Sequence, residues 1–129
     1  MEPKEELVKS WLDKAQRDLD SAVRLTTGPD PFFDIAVYHC QQAAEKAMKG
    51  WLVQKDQRFE KIHDLRLLVT IAQSVEPKFE ELYDMAERLT PYATIYRYPG
   101  EALLPDIEEF NRAIQDTQRI LRFVLENLD

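Results

Sequence analysis

Apolar residues recur every three to four positions over most of this chain, the period of an amphipathic helix. Trp11, Ala15, Leu19, Ala22 and Leu25 form one stripe, flanked by Leu7, Leu12 and Val23. They predict a first helix over about Glu5 to Leu25. Gly28-Pro29, reinforced by Pro31, stops it, because proline has no N–H for the helical ladder. Phe33, Val37, Cys40, Ala44, Ala47 and Trp51 form a second stripe, on a helix from Phe32 or Asp34 to about Gln54. Gly50 lies inside that helix and costs about 1 kcal/mol against alanine. Its presence predicts a second helix packed close against it.

The polar stretch from Lys55 to Ile62 reads as a connection. Leu65, Leu68, Val69 and Ala72 predict a short third helix over about Asp64 to Gln73. Pro77 stands where a fourth helix can begin, and Phe79, Leu82, Tyr83, Ala86 and Leu89 carry it to Thr90-Pro91. Ile107, Phe110, Ile114, Thr117, Leu121, Val124 and Leu128 make the seam of a last helix, with Ile120 and Leu125 beside it. That helix opens near Pro105-Asp106, where Asp106 and Glu109 have the spacing of a capping box. Three long helices, two short ones and brief connections predict an all-α fold, an antiparallel up-and-down helical bundle. It is expected to form one domain over residues 1–129, with no internal repeat or low-complexity tract.

The second helix has another face. Tyr38, Gln42, Glu45 and Lys49 follow the helical step and make a polar row. Glu45 and Lys49 have the i,i+4 spacing of an ordinary surface ion pair, worth about 0.2–0.5 kcal/mol. The same row could line a cleft and grip a ligand through its amide and charged groups. Spacing leaves both readings open. The segment from Tyr92 to Gly100 is the least helical, with three tyrosines, Arg97 and a Pro-Gly. Its tyrosines can stack on bases and its arginine can hold phosphate in bidentate fashion. Alternatively the tyrosines plug an end of the bundle and Arg97 pairs locally.

Charge changes this picture. The net charge is −7, which argues against indiscriminate nucleic-acid binding. Yet residues 46–66 hold six cations, including Lys46, Lys49 and Arg58, against three carboxylates. A local basic surface of this kind can meet a nucleotide or RNA. It can equally complement a helix C-terminus.

Other chemistries are not expected. The two histidines, His39 and His63, have no second histidine at helical spacing and no cysteine pair, so neither metal nor cofactor is expected. The lone Cys40 lies on the apolar stripe and fits a reduced, cytoplasmic setting. No serine sits in a glycine-framed turn, and the three glycines are isolated, so no phosphate-cradling loop is present. The first residues are charged and lack the apolar core of a signal peptide, and no apolar run approaches the roughly 20 residues of a membrane span.

Four blocks stand in order along the chain: Trp11-x-x-x-Ala15-x-x-Asp18-Leu19, then Tyr38-His39-x-x-Gln42-x-x-Glu45-Lys46-x-x-Lys49, then His63-x-Leu65-x-x-Leu68, and finally Arg97-Tyr98-Pro99. Together these blocks resemble the HEPN family (higher eukaryotes and prokaryotes nucleotide-binding domain). They occur in the family's order and cover nearly the whole chain. The resemblance implies a helical bundle that pairs as a homodimer. It also implies partnership with a small nucleotidyltransferase in a toxin–antitoxin-like module. Tyr38, Gln42, Glu45, Lys46, Lys49, Arg97 and Tyr98 are the ligand-binding candidates.

Active members of the family carry arginine, four to six residues, then histidine at a late helix, and are thought to cleave RNA without metal. Here the corresponding positions after Arg97 are Ala102, Leu103 and Leu104, none of which transfers a proton. The remaining catalytic candidates are Arg58 with His63, and Arg97 with His39. The expected function is therefore a non-catalytic nucleotide- or RNA-binding module. A metal-independent ribonuclease and a purely structural dimerisation scaffold are the alternatives.

Overall fold

The computed structural model describes residues 2–100 and 103–129. Its helices are α1 (Pro3–Thr26), α2 (Phe33–Gln54), α3 (Leu65–Val75), α4 (Tyr83–Leu89) and α5 (Ile107–Glu126). Short 3-10 segments, Pro77–Leu82 and Thr90–Ala93, flank α4. No strand occurs among the described residues. The fold is the all-α bundle that the apolar stripes predict.

The bundle is built around α2, which packs against each of the other four helices. Thirteen of its 22 residues are buried. That number exceeds one stripe, since Ala36, Ala43, Met48 and Leu52 are buried as well as the predicted positions. A helix with neighbours on several sides buries more than one face. Trp51 anchors the core at one end, its ring 4.3 Å from that of Phe79 and its indole nitrogen donating to the Asn127 carbonyl at 2.9 Å. Thr117 of α5 donates to the Cys40 carbonyl of α2 at 3.1 Å.

Gly50 faces α1, as its place inside a helix predicts. A β-carbon there would meet the Trp11 β-carbon at 3.2 Å and Leu12 at 3.3 Å. The absent side chain lets two long helices approach closely along the surface that carries the polar row. At the end of α1, Gly28 turns the chain with a φ of +106°, a conformation that glycine adopts without steric cost. Asp64 starts α3 by accepting from the Arg66 amide at 2.9 Å. The Arg66 side chain also bonds both Asp64 oxygens, at 3.0 and 2.7 Å, and holds that carboxyl below its ordinary pKa.

Two expectations are corrected. The single fourth helix divides into a 3-10 segment and α4. Phe79 and Leu82 are three residues apart, which keeps both on one side of a 3-10 helix as readily as of an α-helix. Both are fully buried in the observed form. The seam of α5 does not include its first position, because Ile107 is 58% exposed, while Ile120 is fully buried.

Candidate functional site

Because α1 lies so close to α2, the polar row of α2 is enclosed. The Glu45 and Lys49 side chains are each only 7% exposed and pair at 3.0 Å. The Lys49 ammonium sits between two rings, 5.8 Å from the centroid of Trp11 and 5.5 Å from that of Phe59. Those rings meet edge to face at 5.9 Å. The other Glu45 oxygen accepts from the Gln41 amide at 3.1 Å, and Gln42 donates to the Gln41 oxygen at 2.7 Å. His63 brings its Nδ1 to 3.3 Å from Glu45, yet its side chain is 72% exposed. This part of the row is thus a closed network, and the solvated surface pair is not what the fold contains.

A second cluster joins α1 to α2. Asp18 is buried and faces two partners, His39 Nδ1 at 2.8 Å and the Lys46 ammonium on its other oxygen. The His39 and Lys46 side chains keep 28% and 25% of their surface exposed. Spacing alone does not single out Asp18, which enters only within the first of the four blocks. The signal that could have found it is its position, since a carboxylate between Ala15 and Ala22 falls on an otherwise apolar stripe.

A third cluster lies outside. Arg97 is exposed, and its guanidinium sits 4.8 Å from the Tyr38 ring centroid and 5.7 Å from that of Tyr98. Tyr98 is 68% exposed. The Tyr38 and His39 rings meet edge to face at 5.4 Å, so this cluster borders the second one. Among the described residues Arg97 forms no ion pair, which replaces the local salt bridge of the alternative reading with ring contacts.

The other two tyrosines of the segment act differently. Tyr92 and Tyr96 both donate to one oxygen of Glu109, at 2.7 and 3.0 Å. Burial, and then the Glu109 carboxylate, push both phenols above their ordinary pKa. Asp106 accepts from the Glu109 amide at 2.9 Å, giving half of the expected capping box. The Glu109 carboxylate goes to the tyrosines instead of turning back to its own helix start. These residues brace the segment that carries Arg97 against α5.

The catalytic candidates separate. Arg58 is exposed in the connection after α2, and among the described residues no side-chain hydrogen bond or ion pair joins it to His63. Arg97 and His39 are brought near one another through Tyr38. Leu103 and Leu104, where active relatives would offer histidine, are 87% and 73% exposed, and Ala102 lies outside the described residues. Among the described residues no three His, Cys, Asp or Glu side chains converge as a metal ion would need. Burial raises the Cys40 thiol to about 12, so it is no nucleophile at neutral pH.

The HEPN domain model matches residues 8–128. The chain belongs to the HEPN family. Its fold is similar to that of ST0689, an archaeal HEPN homologue, with 26% identity and a TM-score of 0.74 over 95% of this chain and 98% of the other. It is similar also to TT1696 from Thermus thermophilus, with 29% identity and a TM-score of 0.77 over 94% of this chain and 98% of that one. No curated protein matches the sequence. For this HEPN chain, no helix among the described residues is long and apolar enough to cross a membrane.

Proposed function

We propose that this HEPN-family protein is a non-catalytic module that binds the phosphate of a nucleotide or RNA at Arg97. One observation carries the reading: an exposed guanidinium rests on the ring of Tyr38 and beside that of Tyr98. Guanidinium offers a planar fork of donors that matches phosphate, and an exposed tyrosine offers a base a stacking face. Gln42 and Lys46 follow Tyr38 at helical spacing on α2 and are half-buried. Glu45 and Lys49 serve the ligand indirectly, because their bonds to one another and to neighbours fix α2 beside α1.

The absence of a proton-transfer group at Leu103 and Leu104 favours binding over cleavage. The family resemblance adds a homodimer, and a small nucleotidyltransferase as partner in a toxin–antitoxin-like pair. Titration calorimetry with ATP, other nucleotides and short RNA tests the phosphate site. Arg97→Ala is expected to weaken binding about tenfold, the value of one charge-assisted contact. No saturable binding to any of these ligands would overturn the reading.

A further inference from the structure

Four of the nine arginines, Arg88, Arg112, Arg119 and Arg122, gather between α4 and the outer face of α5. Three hollows of about 440, 400 and 270 Å³ follow one another there. Arg88 borders the first two, and Arg119 and Arg122 border the last two, so they form one groove. No lysine lines it. Arginine is enriched and lysine depleted where proteins meet, because the planar guanidinium gives up water more readily and binds carboxylate with two donors.

The arginines differ in how far they are already used. Arg88 donates to both oxygens of the buried Asp116, at 2.8 and 2.9 Å, and so neutralises the one carboxylate in the middle of the groove. Arg119 reaches Glu81 only at 3.6 Å, with both side chains more than half exposed, a contact with which water competes. Among the described residues Arg112 and Arg122 form no ion pair, although Glu108 and Glu126 stand four residues away on the same helix face. Arg112, Gln115, Arg119 and Arg122 share that face at three- and four-residue steps, and all four are exposed.

The ends of the groove are acidic. Asp106, Glu108 and Glu109 border one end, Glu81 and Glu126 the other. The stretch from Arg112 to Arg122 covers ten helical steps, about 15 Å, which four or five residues of extended chain span. A polyphosphate backbone carries charge at every unit and would run onto carboxylates at both ends. A protein segment carries charge only where its sequence puts it. Gln115 and Gln118, exposed beside the arginines, each offer a donor and an acceptor to the unpaired backbone groups of such a segment.

We propose that the groove between α4 and α5 binds a short, extended acidic segment of a partner protein, its carboxylates held by Arg112, Arg119 and Arg122. Arg88 is the positioning residue, since it keeps Asp116 from facing the segment. None of these residues belongs to the Arg97 cluster, so the inference does not rest on the phosphate site.

NMR titration of the nitrogen-15-labelled chain at low salt tests it, with a hexapeptide of alternating glutamate and serine as the probe. The matching glutamine–serine peptide and a six-residue oligouridylate are the controls. The glutamate peptide is expected to shift the Gln115 and Gln118 side-chain amides saturably and to bind about tenfold more tightly than either control. Arg112→Gln/Arg119→Gln weakens it about tenfold, and Arg112→Lys/Arg119→Lys about threefold, because lysine keeps the charge and loses the fork. Arg97→Ala leaves it within about twofold. Circular dichroism checks that the variants fold, and their exposed positions favour this. No saturable shift up to about 5 mM peptide overturns the inference. Equal affinity for the glutamine peptide does so too, as does binding that survives Arg112→Gln/Arg119→Gln. An oligouridylate that shifts the same amides as strongly makes the groove a nucleic-acid surface and refutes the acidic segment. Peptide binding lost in Arg97→Ala places the peptide at the other site and equally refutes the groove.

Discussion

Glu45→Ala discriminates most sharply between a solvated α2 row and an enclosed one. In the native chain both members of the Glu45–Lys49 pair are 7% exposed. The substitution leaves the Lys49 ammonium between Trp11 and Phe59 with no carboxylate. Removing one partner of a buried pair costs about 3–5 kcal/mol, and the two ring faces return about 1 kcal/mol of it. A net loss of about 2–4 kcal/mol is expected. An exposed i,i+4 pair would lose only about 0.2–0.5 kcal/mol. The two readings therefore differ several-fold, well beyond the error of a denaturation curve. Domains of this kind have about 5–15 kcal/mol in total, and the loss corresponds to a Tm lower by about 8–16 °C. Urea unfolding followed by tryptophan fluorescence is the assay, since Trp11 lies in the network and Trp51 in the core. The double variant Glu45→Ala/Lys49→Met removes the stranded charge and is expected to recover most of the loss. A single-variant cost below about 1 kcal/mol would refute the enclosed network. So would a double variant no more stable than Glu45→Ala alone.

Gly50→Ala is expected to destabilise by about 1 kcal/mol, because overpacking against the Trp11 β-carbon at 3.2 Å outweighs the gain in helix propensity. A more stable variant in thermal melts would show that α1 can retreat. Tyr92→Phe is expected to cost about 1 kcal/mol at neutral pH, by taking one donor from Glu109. Because the folded state raises the Tyr92 and Tyr96 phenols above their ordinary value of 10.0, their contribution is complete below that pH and is lost as pH rises through the folded values. Phenolate absorbance should therefore show Tyr92 and Tyr96 ionising above the ordinary phenol value, and ionisation of both at that value would contradict the clamp. The Cys40 thiol should be silent to a disulfide reagent in the native protein and react fully in urea. Prompt native reaction would contradict its burial.

How far the sequence is legible depends on what sets each feature. Stripe positions such as Val37, Cys40, Leu68 and Val124 obey a period that only the helix imposes, and they are fully buried. Gly50 likewise announces the close approach of α1, because an interior glycine has a local cost that needs a tertiary return. Ile107 was not legible in the same way, since its spacing fits the α5 seam while its burial depends on what packs at the helix start. Glu109 shows the same limit at the level of bonding. Its spacing from Asp106 fits a capping box, but two tyrosine hydroxyls arriving from the preceding segment take the carboxylate.

The α2 row carries the deepest ambiguity, and the reason is physical. Periodicity reports which residues share a face, and it does not report how closely the next helix stands. Tyr38, Gln42, Glu45 and Lys49 look alike as a polar stripe, yet the small Gly50 draws α1 over one end. There the dielectric falls, Glu45 and Lys49 must satisfy one another, and the row becomes part of the fold. At the other end the chain opens towards Tyr38, where Arg97 arrives from the far end of the sequence. One continuous stripe is therefore divided into a bracing half and a half that stays open beside Arg97. Asp18 sits at the division, its buried carboxylate meeting Lys46 with one oxygen and His39 Nδ1 with the other.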